Sequence, residues 1–156
     1  MTLDDKMGFT LYNLLLALWV GGMTIFTFMV TPIIFKAFSR DMASAIVDKL
    51  FPFYFPYNLI LSLLTLSFFL LSGFQKDAGN EISLVLIIIA IVINIFITFK
   101  LFPDIKRVKQ GIVSFDRTTP DSPGRMQFRR MHAASAILNI LLLADGIVLI
   151  VLSHPL

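Results

Sequence analysis

The chain has 156 residues, of which 57% are hydrophobic and only 15% charged, with a formal net charge of +3. A soluble domain carries about 25% charge, and a water-soluble fold of this length could not hide so much apolar surface. The lack of cysteine excludes disulfides, thiolate metal sites, iron–sulfur clusters and thiol catalysis.

The N-terminus carries Asp4 and Asp5 and lacks the positive region of a signal peptide. The first apolar run is therefore expected to stay as a membrane anchor. Charge gaps then mark the spans. Residues 7–35, 50–75 and 82–99 contain no Asp, Glu, Lys or Arg, and the run from Met131 onward holds one acid, Asp145. A helix needs roughly 20 apolar residues to cross the hydrocarbon core.

Helix 1 is expected at about 9–31, with Pro32 limiting its continuation. Between it and helix 2 lies Ser39 to Leu50. Met42, Ile46 and Leu50 recur there at helical spacing beside Ala43 and Val47, with Arg40, Asp41, Ser44 and Asp48 opposite. This predicts a short amphipathic helix, about 39–50, lying in the interface. Helix 2 is placed at about 55–74, entered through aromatics 51–57 that suit the membrane boundary. Helix 3 is placed at about 81–102, ending near Pro103, and helix 4 at about 124–152 after the turn Ser122-Pro123-Gly124. The expected architecture is an all-α, single-domain, four-helix membrane bundle. Long, continuously apolar runs fit helices and not the alternating strands of a barrel.

The basic residues divide unequally. Lys6 and Lys76 fall on one side; Lys36, Arg40, Lys49, Lys100, Lys106, Arg107, Lys109, Arg117, Arg125, Arg129 and Arg130 fall on the other. The positive-inside rule makes the second side cytoplasmic and puts both termini outside, with the inner membrane as the expected location.

Function in such a bundle is sought on the polar residues that lipid excludes. Asp145 lies about seven residues from the outer end of helix 4, roughly 10 Å deep. It reads either as a proton or cation site or as a structural hydrogen bond, with Lys6 or Lys76 as an ion-pair partner. Thr24, Thr27 and Thr31 share a stripe of helix 1 with Asn13, Ala17 and Gly21. Asn94 and Thr98 are one turn apart in helix 3, His132, Ser135 and Asn139 share a face of helix 4, and Asn58 opens helix 2. They form either an inward-opening polar pocket or ordinary interhelical hydrogen bonds. Gly21-Gly22 is expected to allow close helix packing.

His132 is the histidine near a span, while His154 belongs to the opposite side, so no bis-histidine haem bridges them. Haem through His132 with another axial ligand is the alternative; otherwise no cofactor is expected. His132 and Asp145 are thirteen residues apart, about 20 Å along the helix, and cannot form one catalytic pair. In the loop 104–125, Lys106, Arg107 and Lys109 are head-group candidates, or only a topology signal. No phosphate loop, zinc motif or nucleophile elbow occurs, and no base-reading surface that would point to nucleic acid.

The stretches Leu18-Trp19-Val20-Gly21-Gly22, Thr31-Pro32-Ile33-Ile34-Phe35-Lys36-Ala37-Phe38 and Lys49-Leu50-Phe51-Pro52-Phe53-Tyr54-Phe55 resemble the transmembrane protein 205-like family. Arg130-Met131-His132-Ala133 and Asn139 are similar to its last helix. Bacterial members form a domain of unknown function. Helix count and the Trp-Gly-Gly start are also similar to copper-resistance D-like membrane domains. The resemblance implies a four-helix membrane protein, and its animal members are associated with resistance to platinum drugs, which implies export or trafficking. Three functions follow as expectations: a small transporter or exporter component, a non-catalytic subunit of a larger membrane complex or homo-oligomer, or a haem- or quinone-binding redox protein.

Overall fold

The computed structural model describes residues 3–71 and 80–153. The last residues expected in helix 2, the turn bearing Lys76, and His154 lie outside the described residues. Four helical rods are built from the described elements. Helix α1 (Leu3–Ile25) runs through a π-helical turn (Phe26–Val30) into α2 (Thr31–Ala37). Helix α3 (Arg40–Leu71) is the second rod. Helix α4 (Asn80–Phe96), a second π turn (Ile97–Leu101) and α5 (Phe102–Gln110) make the third. Helix α6 (Pro123–Ser153) is the fourth. Each rod is long and apolar enough to cross a bilayer. The protein is a multi-pass membrane protein with an all-α four-helix bundle fold.

The candidate spans in the rods, 31 or 32 residues each, are about 47 Å long at 1.5 Å per residue, against a hydrocarbon core of about 30 Å. Most of the lysines and arginines lie at one end of the rods. Around the bundle, α1 packs on α3 and α6, and α4 packs on the same two, so α1 and α4 are diagonal. Neighbouring rods are antiparallel. The core is a central column of Leu16, Trp19 and Met23 from α1, Phe69 from α3, Ile87 and Ala90 from α4, and Leu142 and Leu149 from α6.

Three expected boundaries are corrected. Pro32 does not end helix 1, and Pro103 does not end helix 3. Proline removes a main-chain donor and collides with the carbonyl four residues back. The π turn before each proline absorbs this by inserting a residue, so that Thr31 N–H donates to Phe26 O and Phe102 N–H donates to Ile97 O. Each proline then sits in the first turn of the next helix, where no donor is missed. Both turns fall on one pattern: Thr27-Phe28, Val30, Pro32, Ile34 in the first rod and Thr98-Phe99, Leu101, Pro103, Ile105 in the third. Ile34 and Ile105, the last residue of each, are both 8% exposed.

The third correction concerns residues 39–50. They are helical, but they form the first turns of α3 rather than a separate helix, and the rod continues through Pro52 and Pro56. Their buried residues are Ala43 and Val47, packed on Ile34 of α2, whereas Met42 is exposed. The connection between the third and fourth rods is tied to this end of α3. Asp41 accepts from Ser114 Oγ at 2.6 Å and from the Phe115 amide, and Arg125 donates to the Phe115 carbonyl at 2.9 Å and to that of Thr118.

Only one of the paired glycines makes a close approach. A Cβ on Gly22 would lie 2.8 Å from the Tyr57 ring, while around Gly21 there is nothing within 4 Å. Tyr57 is held there by donating to the Leu18 carbonyl at 2.8 Å. Gly146 plays the matching part on α6, where a Cβ would meet Val20 at 2.6 Å.

Candidate functional site

The polar residues sort into a connected cluster and several outliers. At its centre is Asn139 of α6. Its amide donates to Thr27 Oγ1 at 2.9 Å, and its carbonyl accepts from the Tyr54 hydroxyl at 2.8 Å. One side chain thus joins the first, second and fourth rods. Thr27 is turned to this partner by the first π turn, and Tyr54 is fixed by stacking on Phe26 at 4.0 Å between ring centroids. One turn deeper, Asn58 donates to the Tyr54 carbonyl at 3.1 Å, and its own Oδ1 is buried without a hydrogen-bond partner among the described residues. Beyond it, Asn94 donates to Ser62 Oγ at 3.4 Å, which links the third rod to the second. Thr98 Oγ1 and Thr65 Oγ1 are buried without partners among the described residues.

Tyr54 was read from the sequence as a boundary aromatic, yet it is buried and central. The missed signal is a spacing. Tyr54, Asn58, Ser62 and Thr65 recur at four, four and three residues along α3, and all four are buried. Thr24, in contrast, does not join the cluster. It is exposed on α1 and its hydroxyl donates to its own helix at Val20 O.

Two cavities lie near this cluster, and one of them is lined by it. The deeper one, about 170 Å³, lies among Thr27, Thr31, Tyr54, His132, Ser135 and Asn139. The outer one, about 230 Å³, lies nearer the basic end among Phe35, Arg40, Lys106, Lys109, Arg125 and His132, with further phenylalanines. Phe51 and His132 line both. His132 is half-buried, with one imidazole face stacked on Phe128 at 5.7 Å.

The three head-group candidates are placed differently. Lys106 lines the outer cavity; Lys109 lines it while pairing with Asp48 and donating to the Ser44 carbonyl. Arg107 does not line it and instead pairs with Asp104. Arg40, Arg125 and the acidic Asp48 also line the cavity, although none of them stood out in the sequence as a site residue.

Asp145 stands apart from both cavities. It is half-buried on α6, with Oδ2 buried and without a hydrogen-bond partner among the described residues. It interacts electrostatically with Tyr12 of α1. Lys6 forms no ion pair with it, and Lys76 is outside the described residues. Nearby, Ser153 donates to Asn13 at 2.7 Å and closes α1 on α6. Among the described residues, no three His, Cys, Asp or Glu side chains are grouped so as to hold a metal ion.

Residues 14–114 match a family described as a domain of unknown function, DUF4149. The chain belongs to this family. An uncharacterized protein of Aquifex aeolicus (strain VF5) is 43% identical over 47 residues, which are 30% of this chain and 36% of that relative. The match thus spans about a third of the relative's length. No solved structure matches. The DUF4149 region contains Thr27, Tyr54, Asn58 and the α3 and α5 walls of the outer cavity, while Arg125, His132 and Asn139 lie beyond its end.

Proposed function

We propose that this DUF4149 protein is a component of a small-solute transporter or exporter of the cytoplasmic membrane, with both termini outside the cytoplasm. The observation that carries this reading is the pair of cavities meeting at Phe51 and His132, the deeper one floored by the Tyr54–Asn139–Thr27 hydrogen bonds. Ligand pockets are concave and mostly apolar, with a few convergent polar groups, and this one lies inside a membrane bundle. Each cavity alone is below the usual ~300 Å³ of a ligand site, and the two share Phe51 and His132 as a common wall. The concentration of basic residues at one end supports the orientation. The solute site then opens toward the cytoplasm.

The resemblance to the transmembrane protein 205-like family, with its link to drug resistance, points to the same class of role. A soft-metal cargo is not favoured, because the chain offers no thiolate. Four helices enclose a narrow interior, so a complete conduit calls for a second copy or a partner subunit. The test is transit in reconstituted vesicles. Dansyl-labelled carboxylates, amines and neutral amides would be loaded inside, and their escape followed by fluorescence. The proposal expects at least one class to leave faster than from protein-free vesicles, and Asn139→Leu to remove the difference. Identical rates with and without protein for every class would refute it.

A further inference from the structure

Basic residues at one end of a membrane protein need only be present to orient it; they need not converge. Here a subset does. Arg40 from the start of α3, Lys106 and Lys109 from α5, and Arg125 from α6 all line the outer cavity, whereas Lys36, Lys49, Arg117, Arg129 and Arg130 do not. Within that set, Lys109 is neutralised by Asp48. Arg125 is held by two backbone carbonyls and the Phe115 ring, so its charge meets no carboxylate. Arg40 and Lys106 have no ion-pair partner among the described residues. The other wall is aromatic. Phe51 and Phe102 meet edge to face at 5.9 Å, and Phe115 and Phe128 at 5.0 Å. On the far side of Phe51 and His132 lies the second cavity, also mostly apolar. With Asp48 of the lining paired to Lys109, the cavity keeps a cationic excess over an aromatic wall.

We propose that the outer cavity is a binding site for an anionic amphiphile, a molecule with a carboxylate or phosphate head and an alkyl tail. This rests on reading the two cavities as a solute site, and it assigns the chemistry of that solute. The head lies between Arg40, Lys106 and Arg125, and the tail runs past Phe51 and His132 toward Asn139. A hydrogen bond to a charged group in a partly desolvated site contributes more than a neutral one, so the head sets selectivity. The tail sets depth.

The test uses the full chain in phosphatidylcholine nanodiscs and energy transfer from Trp19, the single tryptophan. The probes are 11-dansylamino-undecanoate and its neutral carboxamide. The acid is expected to bind saturably and about tenfold more tightly than the amide. Arg40→Gln combined with Lys106→Gln removes that preference and leaves amide binding unchanged. Arg40→Lys combined with Lys106→Arg retains it, which separates lost charge from lost folding. Lys36→Gln with Lys49→Gln, an equal loss of charge away from the cavity, also retains it. Replacing the nanodisc lipid with phosphatidylglycerol identifies the source: displacement of the probe means that a bilayer lipid supplies the head, and its retention means a dispersed acid does. Equal affinity for acid and amide would overturn the proposal, as would an equal loss in the control pair. If the acid is preferred but nothing crosses the vesicle membrane, the transport reading fails and this site stands.

Discussion

Asn139 shows why a polar residue's position along a helix is easier to read than its partners. Its place on the His132–Ser135–Asn139 face was legible from spacing, and so was the candidacy of Thr27. The third member, Tyr54, was hidden because an aromatic near a membrane boundary is the commonest use of tyrosine there. The inclusion of Thr24 failed for a different reason. Rotation of α1 is fixed by burying Trp19 and Met23, which turns Thr24 outward to bond its own backbone. Interhelical hydrogen bonds in membranes contribute about 0.6 kcal/mol on average and up to about 1.7. Tyr54→Phe leaves the half-buried Asn139 carbonyl without its donor. It should lower unfolding stability in a mixed-micelle titration by about 1 kcal/mol. Thr24→Val, which removes only a local bond, should leave it unchanged. Equal effects of the two would contradict the cluster.

At the scale of helices, the four spans were legible because ionised side chains are expelled from hydrocarbon over long stretches. Their ends were not. A π turn adds one residue without any compositional mark, so Pro32 and Pro103 read as stops when they are passed through. The amphipathic pattern of 39–50 and the aromatics 51–57 split α3 into two expected elements, whereas the helix runs on through Pro52 and Pro56. The Gly21-Gly22 pair was correctly read as a packing feature, but which glycine touches a neighbour depends on helix rotation. The structure gives a sharp contrast. Gly22→Ala meets a tyrosine ring pinned by its own hydrogen bond, and Gly146→Ala meets the stiff β-branched Val20. Each should lower stability by about 1–3 kcal/mol. Gly21→Ala, with open space around it, should be neutral or mildly stabilising because alanine favours helix over glycine. Thermal aggregation midpoints of the three variants would rank them, and a large loss for Gly21→Ala would contradict the packing described.

For the whole molecule, the bundle puts a cationic rim, an aromatic throat and a hydrogen-bonded floor in sequence along one axis, from the basic end inward. Sequence supplied the charge asymmetry and part of the floor. It did not supply the convergence of Arg40, Lys106 and Arg125, which come from three rods and meet only when the 111–122 connection folds back on α3. The proposed function therefore depends on direction, with the rim facing the cytoplasm. Because the chain has no cysteine, single substitutions can be probed with a membrane-impermeant maleimide on sealed vesicles of known polarity. Ser44→Cys in the outer cavity and Arg117→Cys in the connection should react only in inside-out vesicles, and Thr2→Cys only in right-side-out ones. Undecanoate should protect Ser44→Cys and not Arg117→Cys. Labelling of Ser44→Cys from the periplasmic face would contradict the orientation, and labelling that undecanoate leaves untouched would contradict the cavity as its site.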